Sequence, residues 1–110
     1  MIVKEKYEYQ IGEEIFQGVI CFDNEIEGSR PGVLVSHQYS GCSKLEERKC
    51  EFLAKAGYFA FAIDLYGKDV RGKTPEESLN LMNQLSEDRT VLVKRINHCL
   101  TLLKDHALVD

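Results

Sequence analysis

Polar and apolar side chains alternate from Lys4 to Gln10, with Tyr7 and Tyr9 on one side and Lys6 and Glu8 on the other. That two-residue period predicts a half-buried β-strand. Gly12 marks a turn, and Glu14 to Phe22 reads as a second strand, so the pair is expected to close as a β-hairpin. Asp23 to Pro31 is polar and holds Gly28, Ser29 and Pro31, the composition of a surface loop. The pattern then changes. Gly32-Val33-Leu34-Val35-Ser36-His37 and Tyr58-Phe59-Ala60-Phe61-Ala62-Ile63 are short, nearly unbroken apolar runs. Such runs suit strands covered on both faces, as in a parallel sheet.

Between these runs the period lengthens. Ser43-Lys44-Leu45-Glu46 forms a capping box, and a helix is expected from Lys44 to Ala56 with Leu45, Phe52, Leu53 and Ala56 facing inward. Gly57 ends it. Strand, helix and strand of these lengths predict a right-handed βαβ unit. Thr74-Pro75-Glu76-Glu77 is a second capping box, with proline at the first helical position, opening a short helix to about Leu85. Ser86-Glu87-Asp88 begins a longer helix whose apolar face is read as Leu92, Ile96, Cys99, Leu100 and Leu103. After it the β/α alternation calls for another strand, but the sequence stops at Asp110.

At 110 residues there is room for one small domain. A net charge of −4 with mixed signs argues against a nucleic-acid partner. The nearest thing to a basic cluster, Lys68, Arg71 and Lys73, reads as solvated loop charge. No run nears the roughly 18 apolar residues that a membrane span needs, and no signal-peptide core follows Met1. A cytoplasmic location is therefore expected. Cys21, Cys42, Cys50 and Cys99 show neither a Cys-x-x-Cys pair nor zinc-site spacing. They read as reduced core thiols, and neither a metal nor a cofactor is expected.

Four stretches resemble the dienelactone hydrolase family in order and spacing. They are Pro31-Gly32-Val33-Leu34-Val35-Ser36-His37-Gln38-Tyr39-Ser40-Gly41, Leu53-Ala54-Lys55-Ala56-Gly57-Tyr58, Ile63-Asp64-Leu65-Tyr66-Gly67-Lys68 and Arg71-Gly72-Lys73-Thr74-Pro75-Glu76-Glu77. The resemblance implies the N-terminal part of an α/β-hydrolase fold. Residues 1–110 would form a single incomplete domain: a β-hairpin, a βαβ unit of a mostly parallel sheet, and two C-terminal helices. It also implies a strand order of 1-2-4-3, with a fifth strand beside the third. Family members carry their nucleophile in a Gly-x-Cys-x-Gly or Gly-x-Ser-x-Gly elbow after a later strand, then an Asp and a His. Neither elbow occurs here, so no nucleophile or triad residue is assigned in this chain.

The resemblance gives the loop His37-Gln38-Tyr39-Ser40-Gly41-Cys42 one part in catalysis. In this fold it supplies one of the two oxyanion-hole amides, and by position the backbone N–H of Tyr39 is the candidate. Loss of such a donor costs on the order of 100- to 1,000-fold in rate. Gly41 would let the backbone turn beside the site. Gln38 stands where many relatives have a Glu that meets the resting cysteine thiol. An amide hydrogen-bonds but carries no charge, which puts the dienelactone substrate in doubt and favours a related esterase. His37 is read as a loop support in the binding region rather than the catalytic base. Tyr66 is a candidate for the pocket mouth, and Asp64 for orienting its own loop. Cys42 has no base partner, and His98 and His106 are read as surface or interface residues.

The leading expectation is hydrolysis of a small ester or lactone by nucleophilic acyl transfer in the complete protein, the 110-residue chain being inactive alone. The alternative is a non-catalytic module that pairs with itself through the edge of residues 33–36. A flavodoxin-like cofactor binder fits the βαβ pattern, but no glycine-rich phosphate loop follows the first buried strand.

Overall fold

The hairpin forms where the alternation placed it. In the computed structural model, which describes all 110 residues, β1 (Ile2–Ile11) pairs antiparallel with β2 (Glu14–Asp23), setting Tyr9 opposite Phe16. β3 (Gly32–Val35), α1 (Lys44–Lys55), β4 (Phe59–Ala62), α2 (Pro75–Glu87) and α3 (Arg89–Asp105) follow. The strand order is β1-β2-β4-β3, as the resemblance implied. Within these four strands the sheet is mixed. β4 runs antiparallel to β2 and parallel to β3, and β3 lies at the edge.

The two faces of the sheet carry different side-chain sizes, and β4 shows why. Successive residues of a strand point to opposite faces, so Phe59 and Phe61 face one way while Ala60 and Ala62 face the other. The large face joins Tyr9, Phe16, Ile20 and both phenylalanines to Cys99 and Leu103 of α3. Tyr9 stacks on Phe16 at 5.4 Å and meets Phe61 edge-on at 5.8 Å. The small face, with Val19, Cys21, Ala60 and Ala62, meets Cys42, Cys50 and Ala54 of the α1 side. Short side chains let the helix sit close to the sheet. All four cysteines are buried and free.

Both capping boxes form, at Ser43 with Glu46 and at Thr74 with Glu77. The inward face of α1 is not the expected one. Glu46, Cys50 and Ala54 are buried, whereas Leu45 is 41% and Phe52 73% exposed and Ala56 is exposed. The capping box turns the Glu46 side chain back toward Ser43. Positions four and eight residues on then form the buried stripe. Leu45 and Phe52 lie one stripe over, beside the open edge of β3. On α3 the expected face is narrower than read: Cys99 and Leu103 are buried and Leu92 packs on the core, while Ile96 and Leu100 are 36% and 42% exposed.

Two more expectations change. The segment after β2 is not simply a surface loop, because Arg30 is 4% exposed. Its guanidinium donates to the carbonyls of Asp23, Ile26 and Gly28, and its backbone bridges to Val109. His98 and His106 are half-buried and pack on rings, at 6.0 Å from Tyr9 and 4.3 Å from Phe59.

Phe61→Ala should lower unfolding free energy by about 3–5 kcal/mol, while Phe52→Ala should change it by less than about 0.5 kcal/mol. Urea titrations of the two variants check this; equal losses would mean that Phe52 is packed.

Candidate functional site

β3 and β4 run parallel and end together, so the loops after Val35 and Ala62 emerge side by side. His37 ties them. Its Nε2 accepts from the Leu65 N–H at 3.0 Å. That nitrogen carries a lone pair, so the ring proton is on Nδ1, which donates to the Gln38 carbonyl at 2.7 Å. Burial pushes the imidazole pKa below its usual 6.5, consistent with this neutral tautomer. With both nitrogens engaged, His37 has no free lone pair with which to take a proton. The Tyr66 ring lies 4.7 Å from the imidazole, and its hydroxyl donates to the Tyr39 carbonyl at 2.8 Å.

Beneath these loops sits Asp64, a fully buried carboxylate two residues past the end of β4. Oδ2 accepts from the Gln17 N–H at 3.0 Å, and Oδ1 from the N–H groups of Tyr66 and Gly67 at 3.0 and 3.1 Å. The Arg71 guanidinium stands 3.5 Å from Oδ1. The Asp64 backbone is held as well: Tyr9 donates its hydroxyl proton to the Asp64 carbonyl and accepts from the Asp64 N–H at 3.0 Å. Cys99 gives its S–H to the Tyr9 hydroxyl oxygen at 3.3 Å, and burial raises the tyrosine pKa.

Arg71 is not the solvated loop charge the sequence implied. It donates to the carbonyls of Cys42, Gly67 and Val70 and, at 3.4 Å, of Gln17. The guanidinium thereby joins the β3–α1 loop to the β4–α2 loop. Gly41 meets this clamp directly. Its φ is +100°, and a Cβ there would lie 2.8 Å from Arg71 Cδ and 3.3 Å from Tyr66 Cδ2. A side chain would be strained and crowded at once.

The remaining residues of the loop face outward. Gln38 and Tyr39 are exposed, and the Tyr39 N–H has no acceptor within the chain. Cys42 is buried, and burial pushes its thiol up to about 12, far from a reactive thiolate. A cleft of about 200 Å³ opens beside the loop, with His37, Gln38, Tyr39 and Tyr66 on one side and Met82 and Leu85 of α2 on the other. Sequence reasoning placed the first four near a site. It missed Arg71 and the α2 residues, because pattern alone does not say which way a loop arginine or a helix folds back. No group of three His, Cys, Asp or Glu could hold a metal ion, and no helix is long and apolar enough to cross a membrane.

The strand order, the single parallel pair and the loop at its C-terminal end define the N-terminal part of an α/β-hydrolase fold. The dienelactone hydrolase family model matches residues 16–108, and the chain belongs to that family. Among solved structures it is similar to a dienelactone hydrolase-like promiscuous phosphotriesterase from metagenomic libraries, at 25% identity and a TM-score of 0.91. A second solved DLH structure matches at 27% identity and 0.88. Each comparison covers 99% of this chain and 45% of the other, so the chain spans less than half the length of those relatives. A candidate dienelactone hydrolase from Klebsiella pneumoniae subsp. pneumoniae shares the fold at 20% identity and a TM-score of 0.74, over 100% of this chain and 46% of its own. No curated protein sequence matches significantly.

Asp64→Ala should cost about 3–5 kcal/mol, because it leaves Arg71 and three N–H groups without their buried acceptor. Urea midpoints measure this. His37 titrates lower folded than unfolded, so the unfolded chain binds more protons between the two values. Its stabilising contribution is full above pH 6.5 and is lost as pH falls from there through the folded value. His37→Gln should remove that part of the pH dependence of stability; an unchanged profile would mean the imidazole is not held neutral.

Proposed function

We propose that this chain supplies the oxyanion-hole donor and the pocket wall of an enzyme that hydrolyses a small ester or lactone by nucleophilic acyl transfer. The observation that carries the reading is the Tyr39 N–H. It is held by a clamped loop at the C-terminal end of a parallel strand pair, beside a cleft, and no acceptor in the chain uses it. A donor fixed before the reaction stabilises an oxygen as it becomes negative without reorganising. The nucleophile belongs to a Gly-x-Cys-x-Gly or Gly-x-Ser-x-Gly elbow outside these 110 residues, with the Asp and His of the triad after it. Each part then has one task. The Tyr39 amide and the amide after the nucleophile hold the oxyanion, and His37, as the Nδ1–H tautomer, keeps the loop in place.

Gln38 supports an ester other than the dienelactone, since an amide cannot do what a carboxylate does beside a thiol. The phosphotriesterase activity named for one relative fits the same geometry, because a phosphoryl oxygen gathers charge as a carbonyl oxygen does. Placement in the cytoplasm and the absence of a cofactor are part of this reading.

A specific observation favours a second reading, an interaction module. β3 is the edge of the sheet, and between it and the exposed Leu45 and Phe52 runs a largely apolar groove of about 490 Å³. Unpaired strand edges with apolar flanks invite another strand, here that of a second copy.

Reading the coding region beyond Asp110 separates the two. A strand and either elbow motif within about 20 residues supports the hydrolase; a stop codon without one leaves binding or pairing. The purified 110-residue chain should show no saturable ester hydrolysis. Saturable turnover abolished by Cys42→Ala would overturn the assignment of the nucleophile. A monomer by sedimentation at tens of micromolar counts against self-pairing.

A further inference from the structure

Two of the four buried thiols belong together. Cys21 lies on β2 opposite Ala60 of β4, on the small face of the sheet. Cys50 lies on the buried stripe of α1 that covers this face. Both are fully buried, and a thiol–thiol hydrogen bond is the largest influence on the ionisation of each, drawing Cys21 below its usual value and pushing Cys50 up. Cys50 therefore donates and the Cys21 sulfur accepts. Cys99 and Cys42 face oxygens instead, the Tyr9 hydroxyl at 3.3 Å and the Ala62 carbonyl at 4.0 Å. Alanines flank the pair, Ala60 beside Cys21 and Ala54 one turn beyond Cys50. They leave strand and helix room to approach, as a disulfide needs Cα atoms within about 7 Å. The cover over the pair is thin. β1 is the edge strand on this side, and Lys4, the register partner of Cys21, pairs at 3.0 Å with Glu51, the neighbour of Cys50. Both of those side chains stand partly in water, where an ion pair adds little hold. The pair lies on the β1–β2 side of the sheet, away from the β3 edge, and its chemistry is independent of the hydrolase reading.

We propose that Cys21 and Cys50 form a redox modification site, which a peroxide converts to a disulfide that clasps α1 to β2. Local opening at the β1 edge admits the oxidant. The Cys21 thiolate attacks one peroxide oxygen; an S–O bond forms, the O–O bond breaks, and the departing hydroxide takes up the thiol proton as water. The Cys50 thiolate then attacks the sulfenic sulfur of Cys21. The S–S bond forms, the S–O bond breaks, and a second hydroxide leaves and is protonated to water. Two thiols give up two electrons and two protons, and one hydrogen peroxide becomes two waters. In a reducing compartment thiol exchange undoes the bond, so the clasp is a transient state. While it lasts, the helix that follows the His37–Cys42 loop stays tied to the sheet.

Peptide mapping of the 110-residue chain tests this. After treatment of the reduced, folded chain with hydrogen peroxide and digestion without reductant, Cys21 and Cys50 should appear in one linked peptide pair, which dithiothreitol separates. The oxidised chain should unfold at higher urea, because the link closes the loop from residue 21 to residue 50. Cys50→Ala should lose both the link and the shift, and the map of the unsubstituted chain decides the pairing without any variant. A dominant link from Cys50 to Cys42, or oxidised cysteines with no link between them, would overturn the pairing. The same link dominating when peroxide is added in urea would mean that the fold is not its cause. A Cys21–Cys50 link with an unchanged or lower urea midpoint would overturn the clasp.

Discussion

A single buried carboxylate organises the end of this molecule at which β3 and β4 finish. Asp64 lies two residues beyond β4, and its carboxylate meets the β2 backbone, the next loop and Arg71 at once. A carboxylate out of water is costly unless its oxygens are filled with donors. Here three amides and a guanidinium fill them: the Tyr66 and Gly67 amides and Arg71 come from the loop that follows Asp64, and the Gln17 amide comes from β2. Arg71 in turn holds the carbonyl of Cys42, which fixes the far end of the loop that carries Tyr39. The orientation of the exposed Tyr39 N–H therefore depends on a carboxylate buried behind its loop.

The sheet distributes the remaining tasks by side-chain size. Aromatic rings on the α3 face fill volume and stack, and one of them, Tyr9, reaches the Asp64 backbone through its hydroxyl. Alanine and cysteine on the α1 face bring the helix close, so that its N-terminus lies directly behind the loop. α2 has one buried residue, Ser78, and meets the core through the half-buried Leu85. Packing and positioning are thus assigned to different elements of a small chain.

Much of this was legible in the residues. The hairpin, the buried strands, both capping boxes and the strand order followed from local chemistry or from the resemblance, because alternation and capping are written within a few positions. The helix faces were legible only in part: Leu53 of α1 and Leu92, Cys99 and Leu103 of α3 pack inward as read. Leu45 and Phe52 of α1, and Ile96 and Leu100 of α3, are apolar at helical spacing, yet the stripe beside each is the one that faces the sheet. Periodicity fixes that a face exists, and which neighbour covers it is a tertiary matter. Glu46 shows the cost of reading polarity alone, since it is an acid whose capping bond carries it inward. Arg30 and Arg71 read as loop charges because their partners are backbone carbonyls, which leave no trace in side-chain pattern.

The cysteines give the chain a property unrelated to catalysis. All four sit inside, so a thiol reagent in solution reacts only with molecules that have opened, wholly or in part. Cys21 and Cys50 report the contact between α1 and the sheet, Cys99 the contact with α3, and Cys42 the root of the loop. The rate at which each thiol is labelled is then a local clock, and together the four would time how separate regions of the molecule come apart.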